Sequence, residues 1–387
     1  MDFFSGLSGD ADETSGITDL KGLQPVRCRP EGGDLLMATE STGNGRSDPH
    51  GLWDADNPRM HVGTQRFDTT DEHLGFLARL GVNNMAANDV TFHRDRGWDA
   101  EELAQKREKC ASYGVDLEMV ALPLHQFNED GGSVPNYMLG NWKKGEKEIE
   151  RVCRMVRATS EAGIPAIKYF LCEMENQRTE SVPPGRGGVR YSTWDLSKAD
   201  AGTPRYDKPV TAEENWERVT FFLERVIPVA EECKVRMACH PCDPWLPPGY
   251  KAVDRVLGGA EGFKRFIEIC PSPYHGLNLC LGCMAESVED PATEVPDIIR
   301  YFGERKKIHL IHYRNIFGGR NKFQEVWPDE GDMNMYTLMQ ALKDVGYPHM
   351  VVPDHAPGHS APGSFEQAFA FQFGYIKAMM QAVLSAA

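Results

Sequence analysis

The sequence predicts an α/β protein built as a (β/α)8 TIM barrel with an irregular N-terminal extension. Short apolar, β-rich runs alternate with charged segments in which apolar residues recur at intervals of three and four. This alternation is typical of a parallel sheet whose strands are joined by helices. Eight such runs, the number that closes the barrel, begin at residues 59, 82, 116, 166, 235, 276, 308 and 349. The sequence contains neither a GxGxxG nor a GxxxxGK[ST] motif, so an open sheet that binds a nucleotide is not favoured.

The chain divides by composition into residues 1–57 and residues 58–387. The first segment is rich in Gly, Asp, Ser and Thr and has few apolar clusters, which predicts an irregular arm. The second segment holds all eight strand-like runs and is the predicted catalytic barrel. The chain of 387 residues is 41% hydrophobic, enough for one large core. The first segment is either a tail or a wrapping arm of the kind with which one subunit of a homo-oligomer, the state we expect, can clasp a neighbour.

Charge and hydropathy exclude several classes of partner. The formal net charge is −15 and no Lys/Arg-rich run is present, so nucleic acid is not an expected partner. No stretch approaches the roughly 20 apolar residues that span a bilayer. The acidic N-terminal residues do not have the pattern of a signal peptide. We therefore expect a cytoplasmic enzyme that acts on a small molecule and has no membrane partner.

The ten cysteines have no regular spacing, and several lie inside apolar runs. This scatter predicts reduced, buried thiols rather than disulfides. Two CxxC pairs occur, at residues 239–242 and 280–283. Each pair begins at the end of a predicted strand, so at most one member of each pair can face a common centre. A four-cysteine zinc site is therefore not favoured.

Four residues that can bind a divalent metal stand at the ends of the last four predicted strands. The intervals between them, 40, 32 and 42 residues, each match one βα repeat. Because the carboxyl ends of all strands meet at one face of a barrel, these side chains are expected to converge there. One thiolate, one carboxylate and two imidazoles leave coordination positions open, which indicates a catalytic metal. The predicted ligands are His240, Cys280, His312 and Asp354.

Three residues close to these ligands in the sequence are predicted to be catalytic. Asp243 follows His240, Arg314 follows His312, and His355 follows Asp354. Arg314 is suited to a sugar-acid carboxylate, although a salt bridge to a neighbouring loop is an equal alternative. His355 is suited to general acid or base catalysis, or else to a supporting hydrogen bond.

Four further residues are predicted to bind substrate. Arg178 and Thr179 lie in the long segment between the fourth and fifth strands, which we expect to form an active-site loop. Trp245, among several prolines, forms either an aromatic wall for a sugar face or a rigid turn. Asn315 follows Arg314 and is suited to a substrate hydroxyl.

Several of these motifs together resemble one known family. They are HPCDP at 240–244, NLCLG at 278–282, IHLIHYRNI at 308–316, GDMNMY at 331–336 and PDH at 353–355. Over roughly residues 59–387 the chain resembles the mannonate dehydratases. The resemblance implies a xylose-isomerase-like TIM barrel and loss of water from D-mannonate, giving 2-keto-3-deoxy-D-gluconate. It implies the same four metal ligands, His355 as a catalytic neighbour, and Mn²⁺ as the ion, whereas a thiolate ligand by itself favours Fe²⁺ or Zn²⁺.

The chain also departs from the pattern of that family. Cys242 stands in place of a second Asp, CLGC in place of CTGS, and Ala356 in place of Gly. The family pattern has a tyrosine after a Pro-Gly pair, and this chain has Ser364 and Phe365 there. The family also has an FHE-like segment before the GDM motif, where this chain has FQE. These changes leave the four metal ligands in place. They leave open which substrate is bound and which residue transfers the proton. A sugar isomerase or epimerase on the same barrel, or a non-catalytic sugar-binding relative, therefore remain alternatives.

Overall fold

The computed structural model describes residues 53, 54, 56, 58–128, 132–180 and 184–385. All of these belong to one compact unit. The predicted arm, residues 1–57, lies outside the described residues apart from residues 53, 54 and 56. Trp53 packs its ring edgewise against Tyr347 and His349, with centroids 5.9 Å from each.

The described strands form two sheets. In chain order the strands are β1 (His61–Val62), β2 (Asn84–Ala87), β3 (Asp116–Ala121), β4 (Ala166–Phe170), β5 (Ser192–Asp195), β6 (Arg236–His240), β7 (His275–Cys280), β8 (Ile308–His312), β9 (Ile316–Gly319), β10 (Lys322–Glu325) and β11 (Met350–Val352).

Eight of these strands make the barrel. All their pairings are parallel, in the order β1-β11-β8-β7-β6-β4-β3-β2. A parallel bridge between Thr64 and Met85 links the two edge strands, β1 and β2. The eight predicted strands and the TIM-barrel fold are thus confirmed.

Helices connect the strands and cover the outside of the barrel. α4 begins with a capping box, in which Thr211 and Glu214 satisfy each other's backbone N–H groups. None of the described helices is long and apolar enough to cross a membrane. They are α1 (Asp71–Arg79), α2 (Ala100–Ser112), α3 (Trp142–Glu161), α4 (Ala212–Cys233), α5 (Ala260–Phe266), α6 (Leu281–Ala285), α7 (Pro291–Glu304), α8 (Met335–Asp344) and α9 (Ser364–Ser385).

An apolar plug fills the inside of the barrel. Alternate residues of a strand face the same side of the sheet, so the residue two positions beyond a plug residue also faces inward. His240, His312 and Asp354 each stand two positions beyond a plug residue, and this alternation turns them toward the barrel axis. The plug consists of Ala86, Met119, Ala166, Ala238, Leu310, Met350 and Val352.

A small antiparallel sheet of β5, β10 and β9 lies outside the barrel strands in the topology. The sequence predicts only a loop between the fourth and fifth barrel strands, but part of that segment forms β5. Phe323 of β10 pairs with Trp194 of β5 and with Gly318 of β9. The last residue of β10 is Glu325, whose carboxylate reaches the barrel site described below.

One prediction about the cysteines is wrong, because Cys172 and Cys242 form a disulfide with their Cα atoms 5.7 Å apart. Cys172 follows β4 and Cys242 follows β6, and these two strands are neighbours in the sheet. A sequence separation of 70 residues concealed this contact. Cys110, Cys153, Cys233, Cys239, Cys280 and Cys283 are free thiols.

Truncating the barrel plug should destabilise the whole fold. Leu310 is completely buried, so we expect Leu310→Ala to lower the free energy of unfolding by about 2–5 kcal/mol. Phe317→Ala is the control, because that side chain is 56% exposed and its loss should cost less than about 0.5 kcal/mol. Urea unfolding measures both, and equal losses would contradict the assignment of the plug.

Candidate metal centre

The structure brings the four predicted ligands together at the carboxyl end of the barrel. One ligand atom from each of His240, Cys280, His312 and Asp354 lies within 4.8 Å of all the others. His240 is half-buried and the other three are buried. The set offers one sulfur, one carboxylate oxygen and two imidazole nitrogens around a single point.

Hydrogen bonds orient both imidazoles so that one nitrogen of each is free. Nδ1 of His240 lies 2.7 Å from the carbonyl oxygen of Pro241, to which it donates, and this leaves Nε2 with the lone pair. Nε2 of His312 lies 2.9 Å from the side-chain amide of Asn278. As placed, the amide nitrogen Nδ2 of Asn278 faces Nε2, and the amide oxygen is buried without a partner; when the two amide atoms are exchanged, the oxygen accepts the Nε2 proton and the lone pair of His312 falls on Nδ1. This Nδ1 is buried and makes no hydrogen bond.

The other two ligand groups are a thiol and a carboxyl group that lie close together, with Cys280 Sγ 3.6 Å from Asp354 Oδ2. Burial opposes ionisation of the Cys280 thiol, but the hydrogen bond from Cys283 and the charge of Arg314 outweigh it and lower its pKa well below the usual value. Burial likewise opposes ionisation of Asp354, but His355 and His312 hold its pKa well below the usual range. A thiolate and a carboxylate close together in a buried site need a compensating cation. The donor set therefore fits a divalent metal.

Beside this cluster lies a buried ion network centred on Arg314, whose side chain is 2% exposed. Burial disfavours the guanidinium charge, but Cys280 and the surrounding carboxylates raise its pKa well above the usual value. Its Nη1 lies 3.2 Å from Asp243 Oδ2, 2.9 Å from Glu325 Oε1 and 3.4 Å from Asp354 Oδ2, and its Nη2 lies 2.6 Å from Glu286 Oε1 and 3.2 Å from Cys283 Sγ.

This network explains a second group of possible ligand atoms, those of Asp243, Cys283 and Glu286. The guanidinium of Arg314 contacts all three, so a cationic side chain already occupies the place of an ion. Burial and the charge of Asp243 raise the pKa of Glu286 well above its usual value. This group is therefore a structural ion cluster and not a second metal site.

The arrangement bears on the roles predicted for Arg314 and Asp243. Both terminal nitrogens of Arg314 are engaged by protein groups, and its Nε is buried. Asp243 is 2% exposed and is bound by Arg314 and Arg178. Burial opposes ionisation of Asp243, but these two guanidiniums lower its pKa. The salt bridge given as the alternative for Arg314 is present in the structure, and the catalytic roles of Arg314 and Asp243 stay predictions.

His355 is the predicted catalytic residue that remains accessible, with its side chain 29% exposed. Its Nδ1 donates to Glu325 Oε2 at 2.5 Å, and its Nε2 lies 3.7 Å from Asp354 Oδ1. Burial acts to lower the pKa of His355, but the carboxylates of Asp354 and Glu325 outweigh it and raise the pKa. Burial acts to raise the pKa of Glu325, but the charge of His355 outweighs burial, and the pKa falls to about 2. Nε2 is thus the ring nitrogen that faces the site.

Two residues predicted to bind substrate are held by protein groups near the network. Arg178 makes a bidentate ion pair with Asp243, at 2.6 and 2.9 Å, and also contacts Glu325. Its Nε donates to Ser192 at 2.9 Å. Thr179 pairs through its backbone N–H and its hydroxyl with the carbonyl of Thr193 in β5. Both residues attach the β4–β6 segment to the small sheet.

Two further residues predicted to bind substrate are also occupied elsewhere. Asn315 is buried, and its side chain bonds the backbones of Pro328, Met333 and Ile316. Trp245 has the guanidinium of Arg320 over its ring at 4.8 Å. It lines a cavity of about 560 Å³ whose lining includes none of the four ligands. The structure favours the rigid-turn alternative for Trp245.

Five polar residues at this end of the barrel were not predicted. Lys168 carried a signal, because a charged residue interrupts the apolar run of β4. Glu325 lies in the FQE segment, where the chain departs from the family pattern. The remaining three lie in strands or after them, and their positions in the sequence have no distinctive spacing. The five are Gln65, Lys168, Asn278, Glu286 and Glu325.

Comparisons with known proteins agree with the motif resemblance. The family model described as D-mannonate dehydratase (UxuA) matches residues 202–383. A mannonate dehydratase from Thermotoga neapolitana is 28% identical over 294 residues, covering 67% of this chain and 78% of that protein. The chain is similar to the mannonate dehydratases over this part of its length. The matched region contains all four predicted metal ligands, whereas β4 lies outside it.

Solved structures show the same fold. The crystal structure of mannonate dehydratase from Streptococcus suis serotype 2 superposes with a TM-score of 0.70 at 22% identity, covering 85% of this chain and 95% of that one. A xylose isomerase domain protein from Planctomyces limnophilus superposes with a TM-score of 0.54 at 14% identity, covering 87% and 100%. The xylose-isomerase-like barrel is thereby confirmed.

The structure also explains some departures of this chain from the family motifs. Cys242, in place of an Asp, is part of the disulfide. Ser364 begins α9, and Phe365 packs its ring against Phe67 with centroids 5.1 Å apart. Phe365 thus has a packing role at a position where the family pattern has a tyrosine.

Removing the thiolate should weaken metal binding. We expect Cys280→Ser to bind metal less tightly than the wild-type chain, because a serine hydroxyl stays protonated and is a weaker ligand than a thiolate. Cys153→Ser is the matched control, because Cys153 is a half-buried thiol on α3 outside the cluster. Metal content after dialysis, measured by mass spectrometry, compares the variants. Equal metal content in both variants would exclude Cys280 as a ligand.

The orientation of His312 should depend on Asn278. Loss of a group that orients a metal-binding histidine typically lowers metal affinity by about 10–100-fold, and we expect this of Asn278→Ala. Asn83→Ala is the control, because that exposed amide bonds only the backbone of Gly114 among the described residues. Competition with a chelator measures both affinities. An unchanged affinity for Asn278→Ala would show that Asn278 does not orient the ligand.

Proposed function

We propose that the protein is a metal-dependent hydro-lyase that converts D-mannonate into 2-keto-3-deoxy-D-gluconate and water. The observation that carries this proposal is the cluster of His240, Cys280, His312 and Asp354, which lies inside the region matched by the D-mannonate dehydratase family model. The cluster has the open coordination positions that a sugar hydroxyl or carboxylate requires. Its accessible neighbour, His355, offers a proton-transfer group.

We propose Mn²⁺ as the ion, on the strength of the family resemblance. The thiolate and the two imidazoles are equally compatible with Fe²⁺ or Zn²⁺, because soft and borderline ligands suit those ions. When bound, the ion supplies a positive charge that stabilises the enediolate formed beside the substrate carboxylate. His240, Cys280, His312 and Asp354 are the residues that would hold it. A homo-oligomeric state and a cytoplasmic location remain predictions.

The reaction removes a proton from C2 and the hydroxyl from C3. A base takes the C2 proton, an acid gives a proton to the departing C3 hydroxyl, and the enol product tautomerises to the keto acid. We propose that Nε2 of His355 is the acid that gives a proton to the departing hydroxyl. Its Nδ1–H is held by Glu325, and Nε2 faces the site. Glu325 therefore acts as the residue that positions the imidazole.

The proposal is tested by incubating metal-loaded protein with D-mannonate and related aldonates. We expect a product whose mass is lower by one water and which reacts as a 2-keto acid. A sugar isomerase or epimerase would instead give a product of unchanged mass. Turnover of no aldonate, with metal bound, would favour the non-catalytic alternative and overturn the proposal. The same protein after chelation is the control and should be inactive.

Replacing the proton-transfer group should separate chemistry from metal binding. We expect His355→Asn to lower kcat by about 10²–10⁴-fold, the usual contribution of a general acid, while metal content stays at the wild-type level. The asparagine keeps a polar side chain near Glu325 but cannot transfer a proton. Near-normal dehydration by this variant with metal bound would remove His355 from the mechanism.

A further inference from the structure

Lys168 places an ammonium group inside the mouth of the barrel. It stands two positions beyond Ala166 of the apolar plug, so the alternation of β4 turns it inward, above the plug. Its side chain is half-buried, so the mouth of the barrel still gives access to it. A lysine at this height in an apolar strand is not needed for packing.

A short chain of hydrogen bonds links this ammonium to the metal centre. Nζ of Lys168 donates to Oε1 of Gln65 at 2.6 Å, and Nε2 of Gln65 donates to Oδ1 of Asp354 at 3.0 Å. Gln65 is buried and orients both groups. The cation is therefore one amide away from a predicted metal ligand.

The ammonium has no counter-ion in the described part of the chain, because its one hydrogen-bond partner is the neutral amide of Gln65. No ion pair joins it to a described carboxylate. Burial, and then the charge of Arg66, lower the pKa of Lys168 to about 7, although the charge of Asp354 acts in the opposite direction. A half-buried cation without an ionic partner is incompletely solvated, and an anionic ligand would supply the missing interaction.

The two guanidiniums of the buried ion network are already paired with protein groups. Arg314 is enclosed by Asp243, Glu286 and Glu325. Arg178 is engaged through all three of its nitrogens by Asp243, Glu325, Ser192 and a backbone carbonyl. Neither guanidinium offers a donor to a substrate carboxylate. Lys168 uses one of its three N–H donors on Gln65 and has the others available.

We infer that Lys168 binds the carboxylate of the sugar acid and so selects anionic substrates over neutral sugars. This inference rests on the proposed function and deepens it by naming the residue that recognises the acid. The carboxylate would supply the charge that Lys168 lacks, and Arg66 adds positive charge at the exposed rim. The acid end of the substrate then lies on the β4 side of the mouth, and its hydroxyls extend toward the metal ligands.

Binding is measured in the His355→Asn background, where slow turnover leaves the ligand intact. Calorimetry with metal-loaded protein gives the dissociation constant of D-mannonate. We expect Lys168→Met to raise it by about 10–100-fold, the usual effect of losing a hydrogen bond to a charged group. The dissociation constant of the neutral hexitol D-mannitol should not change, because D-mannitol has no carboxylate.

Two further variants isolate the charge of Lys168. Lys322→Met in the same background is the matched control, because that side chain is 78% exposed on β10, and it should leave D-mannonate binding unchanged. Lys168→Gln keeps a polar group beside Gln65 and replaces the methionine variant if that variant fails to fold or loses metal. When His355 is left unchanged, so that the enzyme turns over, either substitution at Lys168 should raise KM much more than it lowers kcat.

Unchanged D-mannonate affinity in Lys168→Met or Lys168→Gln, or an equal loss of D-mannitol binding, would overturn the inference. A fall in kcat with unchanged KM would do the same, because it would indicate proton transfer rather than carboxylate binding. The proposed reaction has a separate outcome. If D-mannonate binds with the expected dependence on Lys168 but the wild-type enzyme removes no water from it, the proposed function fails and the binding role stands.

Discussion

The buried guanidinium of Arg314 is the interaction on which the carboxyl end of the barrel depends. It joins Asp243 beyond β6, Glu286 beyond β7 and Glu325 of the small sheet. In a site of low dielectric, removing this cation would leave buried carboxylates unpaired, which is strongly destabilising. The chain makes room for it at Gly282, where a Cβ atom would lie 2.1 Å from Arg314 Nε. Even an alanine at residue 282 would displace the guanidinium.

Charge balance then divides the barrel mouth into three parts. In the first part, the carboxylates of Asp243, Glu286 and Glu325 surround the guanidiniums of Arg314 and Arg178. The side chains of Cys280 and Asp354, with the imidazoles of His240 and His312, form the second part, which is the candidate metal site. The third part is the ammonium of Lys168, which has no ionised partner among the described residues. An anionic substrate completes this balance.

The strands and the ligand cluster could be predicted because both follow from repetition along the chain. Parallel strands of a closed barrel end at one face, so ligands spaced by one βα repeat converge whatever the loops do. The disulfide between Cys172 and Cys242 could not be predicted in this way, since it depends on which strands are neighbours and on the exact ends of β4 and β6. The ion pairs of Arg314 with Glu286 and Glu325 also could not be predicted, because these two carboxylates come from segments without a repeating pattern. A charged residue in an apolar strand was the available signal for Lys168.

The two halves of the barrel contribute different parts of the proposed chemistry. Strands β6, β7, β8 and β11 supply the metal ligands and lie within residues 202–383, the region that matches the family model. Strand β4 and the residues after β1 supply Lys168 and Gln65 and lie outside it. Gln65 connects the two halves, because it bonds both Lys168 and Asp354. In the proposed function, Gln65 therefore ties substrate recognition on the β4 side to the orientation of the predicted ligand Asp354.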